Sequence, residues 1–252
     1  MKARISMPLA ALFAAASSLL GCMADGDDDL DPIDDDEETG TDEAEILGGQ
    51  LDNTSLSVAY LSSSSGCSGT LIRKNAVLTA AHCVDPKKDG YAELGTSNGG
   101  WTKYNFVKSN IHIHPKYGVN PDHDIAVVVL NKNVVGVTPS PLRTTAPKVG
   151  QSIKIVGFGY TSDAGGNGVG NRYVGYNKIS EMASIYFGYA GNANICSGDS
   201  GGPSFINGKV AGVHSSGYGS GYCSTTGFDM RVDKYAPWIN KCLDNASACG
   251  TP

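Results

Sequence analysis

Gly198-Asp199-Ser200-Gly201-Gly202-Pro203 places one hydroxyl between glycines on both sides. A serine hydroxyl is a weak nucleophile at neutral pH and needs an adjacent base. Two upstream segments offer the partners, Thr79-Ala80-Ala81-His82-Cys83 and His123-Asp124-Ile125-Ala126-Val127. Imidazole can take and return a proton near neutral pH, and a carboxylate on its second nitrogen fixes the tautomer. Taken singly, the glycine-rich segment reads as a turn and the histidine as a structural residue. The three together, in the order His, Asp, Ser, point to nucleophilic catalysis.

The flanking sequence is built from short apolar runs separated by turn residues. Residues 56–61, 70–72, 76–78, 152–156 and 210–213 read as strands, with a turn at 62–66. Residues 125–130 form an unbroken apolar run, the mark of a buried strand. The 33 glycines suit many turns. Such a pattern predicts an all-β sandwich or barrel. One helix is expected near the end, over about 233–245, with Tyr235, Trp238, Ile239 and Leu243 on its apolar face.

These motifs resemble those of the trypsin/chymotrypsin family of serine endopeptidases, and the resemblance runs from residue 46 to about 245. It implies two six-stranded Greek-key β-barrels packed together, over about 46–145 and 146–235, followed by the C-terminal helix. It implies a catalytic triad of His82, Asp124 and Ser200, with the N–H groups of Gly198 and Ser200 as the oxyanion hole. A side chain at Gly198 would obstruct that backbone geometry. The resemblance pairs Cys67 with Cys83 and Cys196 with Cys223. Cys242 and Cys249 then remain, without a family counterpart, and are expected to staple the C-terminal tail. No cofactor is implied. The expected partners are protein or peptide substrates, and the expected state is a monomer.

The N-terminus carries its own signals. Lys2 and Arg4 precede an apolar run that ends in Leu19-Leu20-Gly21-Cys22, so residues 1–22 read as an export signal. The last four residues resemble a bacterial lipobox, in which Cys22 would receive lipid. Six cysteines would then remain, an even number in an oxidising setting. Parity alone leaves fifteen pairings open. Residues 23–45 hold thirteen acidic residues and no Lys or Arg, which predicts a disordered tether. The formal charge of -6 therefore hides a mildly basic body, with seventeen Lys or Arg against twelve acids over 46–252. No basic stripe with interleaved aromatics is present, so nucleic acid is not an expected partner. No second long apolar segment follows the signal, so no membrane span is expected and the lipid would be the sole anchor.

Ile46-Leu47-Gly48-Gly49 resembles the new N-terminus that activation creates in this family. Cleavage between Glu45 and Ile46 would free an amine to pair with Asp199, releasing residues 46–252 from the anchor into the periplasm or beyond. The family's specificity pocket implies Asn194 at the base, Gly217 and Gly227 on the walls, and Ser215 supporting the catalytic aspartate. Asn194 has no charge for Lys or Arg. Ser197 and His214 match positions that bind a substrate carboxylate in glutamyl endopeptidases, and Glu45 agrees with self-activation. The competing reading leaves His214 structural and favours large apolar residues. Two wider alternatives are an esterase using the same route and a surface-anchored binding protein with an idle triad. His112, His114 and His123 fall short of the convergent set that zinc needs, so no metal is expected.

Overall fold

The computed structural model describes residues 46–95, 100–119, 122–162, 171–191, 193–245 and 249. The export signal, Cys22, the acidic segment 23–45 and Glu45 lie outside the described residues.

The strands form two seven-membered sheets. The first contains β2 (Val58–Ser62), β3 (Gly66–Arg73), β4 (Ala76–Thr79), β5 (Gly90–Gly95), β6 (Trp101–Phe106), β7 (Ile111–Ile113) and β8 (Ala126–Val129). Its order is β6-β5-β2-β3-β4-β8-β7. β6 and β7 stand at opposite edges yet follow each other in the chain, joined by a 3-10 turn over Lys108–Asn110. Counted as one interrupted strand, they close a six-stranded barrel. The second sheet contains β1 (Gln50–Leu51), β9 (Ser152–Gly157), β10 (Tyr173–Met182), β11 (Tyr186–Ala190), β12 (Pro203–Ile206), β13 (Lys209–Tyr218) and β14 (Thr226–Arg231). Pairing of β10 with both β9 and β11 closes six of these strands into the second barrel.

The expected division near residue 145 puts residues 46–51 with the first barrel. In the structure they cross to the second. Gln50 pairs with Val174 and Leu51 with Tyr173, while Leu47 bridges to Asn194. The physical reason is burial: Ile46 sinks to 1% exposure beside Ile155, Gly175 and Ala193 of the second barrel.

Alternation of side chains builds each core. Val58, Leu61, Leu71, Val77, Leu78 and Val127 are fully buried in the first barrel. Burying each such side chain contributes about 1.5–3 kcal/mol. The run at 125–130 is buried as its composition predicts, apart from half-buried Val129. Ile153, Ile155, Ile179, Phe187 and Tyr189 fill the second barrel. The helix α1 (Val232–Asp244) buries Tyr235, Ala236 and Ile239, with Trp238 and Leu243 packed at the margin. Three disulfides, Cys67–Cys83, Cys196–Cys223 and Cys242–Cys249, complete the frame. Each closed loop stabilises by restricting the unfolded chain, typically by about 2–4 kcal/mol.

Candidate active site

His82 sits on a single 3-10 turn, Ala81–Cys83, directly after β4. The disulfide from Cys83 to Cys67 ties that turn back to β3. Asp124 lies just before β8 and is 5% exposed. Its Oδ1 accepts the His82 backbone N–H at 2.9 Å, and its Oδ2 meets His82 Nδ1 at 2.7 Å. The Ser215 hydroxyl donates to the same Oδ2 at 2.6 Å. Burial works to raise the Asp124 carboxyl, but the His82 hydrogen bonds and charge and the Ser215 hydroxyl outweigh it and hold it below the ordinary carboxylate range. His82 Nδ1 faces Asp124, and the other ring nitrogen, Nε2, lies 3.7 Å from the Cys83 sulfur.

Ser200 stands in a loop seated against this turn. The Cys83 sulfur is 3.4 Å from the Ser200 carbonyl oxygen, and that oxygen accepts the Ser68 N–H at 2.8 Å. Gly198 takes φ 102° and Gly201 takes φ 82°, a region that a side chain rarely adopts. A Cβ at Gly201 would strike Thr79 Oγ1 and the Ser68 carbonyl. The glycines flanking the serine are therefore demanded by close approach. The Asp199 N–H between the two candidate oxyanion donors is bonded to the Cys196 carbonyl at 3.0 Å. Asp199 itself is fully buried, its oxygens held at 2.8 Å by the N–H groups of Gly159 and Cys196.

Two hollows meet at Ser216. One, of about 460 Å³, is lined by His82, Asp124, Tyr117, Tyr186 and Ser215. The other, of about 220 Å³, is lined by Ser200, Ser197, Ser216, Gly217, Tyr222 and Ser224, among others. The second hollow is bounded by the Cys196–Cys223 bridge and braced by the Ser197 N–H bond to the Tyr222 carbonyl at 2.7 Å.

Of the residues expected at the pocket, Ser197 and Gly217 line the hollow beside Ser200. Ser215 reaches Asp124 instead. A register shift in β13 between His214 and Ser216 sends three consecutive side chains to three different surroundings. His214 turns into the barrel, with no exposure, and its Nδ1 meets Asp229 Oδ1 at 2.9 Å. The Tyr189 hydroxyl donates to the same oxygen at 3.0 Å. Burial opposes charging of His214, but Asp229 outweighs it and raises the imidazole above its ordinary range. Asn194 is also fully buried, its Oδ1 accepting the Ile195 N–H at 3.0 Å. A Cβ at Gly227 would press on Asn194 Oδ1 and the Tyr189 ring. Asn194, His214 and Gly227 thus lie behind the pocket wall.

His114 and His123 stack ring on ring at 4.8 Å, and the Tyr235 hydroxyl meets His123 Nδ1 at 3.0 Å. Burial, with His123 and Lys116, pushes His114 down to about 4. Among the described residues, the grouping with metal-ligand spacing is Cys67, His82 and Cys83, and both of its sulfurs are in a disulfide. Sequence reading missed Asp229 and Tyr189, the partners of His214, and it missed Ser68. An acid inside the short strand Thr226–Arg231 and a hydroxyl inside the otherwise buried strand Gly66–Arg73 were the available signals.

The trypsin family profile matches residues 46–239. The chain is 32% identical over 199 residues to a protein named chymotrypsin from Phaedon cochleariae, covering 69% of this chain and 70% of that one. It is 30% identical over 238 residues to serine protease 1 of Canis lupus familiaris, covering 84% and 92%. Among solved structures, neuropsin, a serine protease of mouse brain, superimposes with a TM-score of 0.70 at 25% identity, over 79% of this chain and all of that one. The chain belongs to the trypsin family and is a serine endopeptidase.

Proposed function

We propose that Ser200, His82 and Asp124 hydrolyse peptide bonds through an acyl-enzyme. The observation that carries this is the continuous chain from Ser215 through Asp124 to His82, ending beside the Ser200 loop. Ser200 Oγ attacks the scissile carbonyl while His82 Nε2 takes its proton. The resulting oxyanion is met by the N–H groups of Gly198 and Ser200, neither of which has another acceptor among the described residues. Collapse breaks the C–N bond as His82 returns the proton to the leaving amine, and water then hydrolyses the ester by the same route in reverse. Ser200→Ala should abolish cleavage of peptide substrates. Turnover of esters but not amides would favour the esterase reading, and failure of Ser200 to react with an acylating reagent would favour an idle triad.

For specificity, the geometry favours uncharged side chains before the scissile bond, apolar ones among them. Among the described residues the lining of the hollow beside Ser200 has no Lys, Arg, Asp or Glu, and Tyr222 and several glycines contribute to it. A preference for Glu is the second reading, supported by the hydroxyls of Ser197, Ser216 and Ser224 in that lining. Against it, His214 is committed to Asp229 one layer behind. Cleavage of a peptide library varied at that residue separates the two.

We further propose activation by cleavage between Glu45 and Ile46. Ile46 is buried and takes φ 57°, unusual for a β-branched residue, and Leu47 exchanges backbone hydrogen bonds with Asn194 at 3.1 and 3.2 Å. Burial pushes Asp199 up to about 6 in the uncut chain, against the pull of the Cys196 N–H, His214 and the Gly159 N–H. A carboxyl with a raised folded-state value holds its proton more tightly when folded. The uncut chain should therefore lose stability as pH rises from the ordinary value of 3.8 through about 6. The freed Ile46 amine would offset this by pairing with the ionised carboxylate. Melting the uncut Ser200→Ala chain and the cleaved chain across this window tests the idea: a flat profile for the uncut chain contradicts it. Lipid on Cys22, followed by release on cleavage, is the matching proposal for location, and Cys22→Ser should abolish incorporation of labelled fatty acid.

A further inference from the structure

Ser68 lies on β3 in the first barrel, is fully buried, and spends every polar group on the loop that holds the nucleophile or on its own neighbours. Its N–H donates to the Ser200 carbonyl at 2.8 Å. Its hydroxyl donates to the Gly198 carbonyl at 2.9 Å and accepts the Phe158 N–H at 2.9 Å. Its carbonyl accepts the Thr79 hydroxyl at 2.8 Å.

The hydroxyl contact has a geometric consequence. The peptide between Gly198 and Asp199 stands between the two peptides whose N–H groups face the developing oxyanion. That central peptide is gripped at both ends, its oxygen by Ser68 Oγ and its N–H by the Cys196 carbonyl at 3.0 Å. Gly198 at φ 102° could otherwise rotate with little steric resistance. Electrostatic stabilisation of an oxyanion depends on donors being fixed before charge develops. We propose that the Ser68 hydroxyl is a positioning residue for the oxyanion hole, acting from the first barrel on a loop of the second. Resting on the assignment of Gly198 and Ser200 as oxyanion donors, the proposal extends it to a residue that never touches substrate.

Ser68→Ala removes the hydroxyl and leaves the backbone bond to Ser200 in place. Losing one such hydrogen bond should lower kcat on a peptide amide by about tenfold with KM little changed. Deleting a direct donor typically costs more, about 10²–10³. Affinity for a peptide aldehyde, whose adduct places an oxyanion in the hole, should fall by the same factor, while a cleaved product peptide should bind unchanged. Ser68→Thr, which keeps the hydroxyl, should restore both. Counting active sites by burst titration confines the comparison to folded molecules, and Ser68→Gly makes the same deletion if the alanine variant does not accumulate. Unchanged kcat per active site and unchanged aldehyde affinity would overturn the proposal. So would failure of both variants to fold, which would assign the hydroxyl to stability. If Ser200→Ala still cleaves amides, the underlying assignment falls first, whatever Ser68 does.

Discussion

The protein holds two His–Asp pairs, one bordering a hollow and one buried inside the second barrel. His82 and Asp124 meet at 2.7 Å, His214 and Asp229 at 2.9 Å, each through Nδ1, and each carboxylate also accepts one hydroxyl, from Ser215 or Tyr189. By contact geometry they are nearly the same object. They differ in access. The His82 side chain is 34% exposed and borders an open hollow, whereas both members of the second pair have no exposure at all. An imidazole can serve as a base only where substrate can reach its free nitrogen. On the proposed function the first pair carries the chemistry, whereas the second is closed to substrate by its burial.

Breaking the front pair should produce the largest effect on activity. His82→Ala should lower kcat by about 10⁶-fold and Asp124→Asn by about 10⁴-fold, with the melting temperature close to wild type. Steady-state kinetics beside thermal melting checks both halves. Breaking the rear pair should reverse the pattern. Asp229→Ala leaves the buried His214 without its counterion and should destabilise the fold by about 3–5 kcal/mol, read from denaturant unfolding. Turnover per titrated active site should be much less affected than in the His82 and Asp124 variants. A rear variant that folds normally but loses all turnover would erase the distinction. A smaller change sharpens the front pair. Ser215→Ala removes one hydrogen bond to an ionised carboxylate, typically about 1.5–3 kcal/mol, and should lower kcat by roughly tenfold or more. It should also let the Asp124 carboxyl rise, so activity is lost at a higher pH on the acid side than in wild type.

The front pair was legible in the sequence because its chemistry sits in contiguous segments around His82, Asp124 and Ser200. The strands at 70–72, 76–78, 152–156 and 210–213 were legible for a similar local reason, a short apolar run or an apolar alternation, while the one expected at 56–61 begins only at Val58. Other strands escaped. Trp101–Phe106 is mostly exposed and carries no apolar period, and Thr226–Arg231 hides a buried acid where periodicity expects a hydrophobe. His214 was read as a pocket residue for a substrate carboxylate, with a structural role as the competing reading, and its buried surroundings depend on the register shift in β13, which no local pattern announces. For Ser68 the buried hydroxyl was a visible signal but its role was not, since its partners Gly198 and Phe158 are 130 and 90 residues away.

On the proposed function Ser200, driven by His82, breaks peptide bonds. The most direct test is to treat the cleaved enzyme with an active-site acylating reagent, locate the modified residue by mass spectrometry, and measure amide hydrolysis of the same sample. The expected result is one equivalent of label on Ser200, hydrolysis lost in proportion to labelling, and neither labelling nor hydrolysis in His82→Ala. Label on another residue, or full hydrolysis with Ser200 blocked, would contradict it.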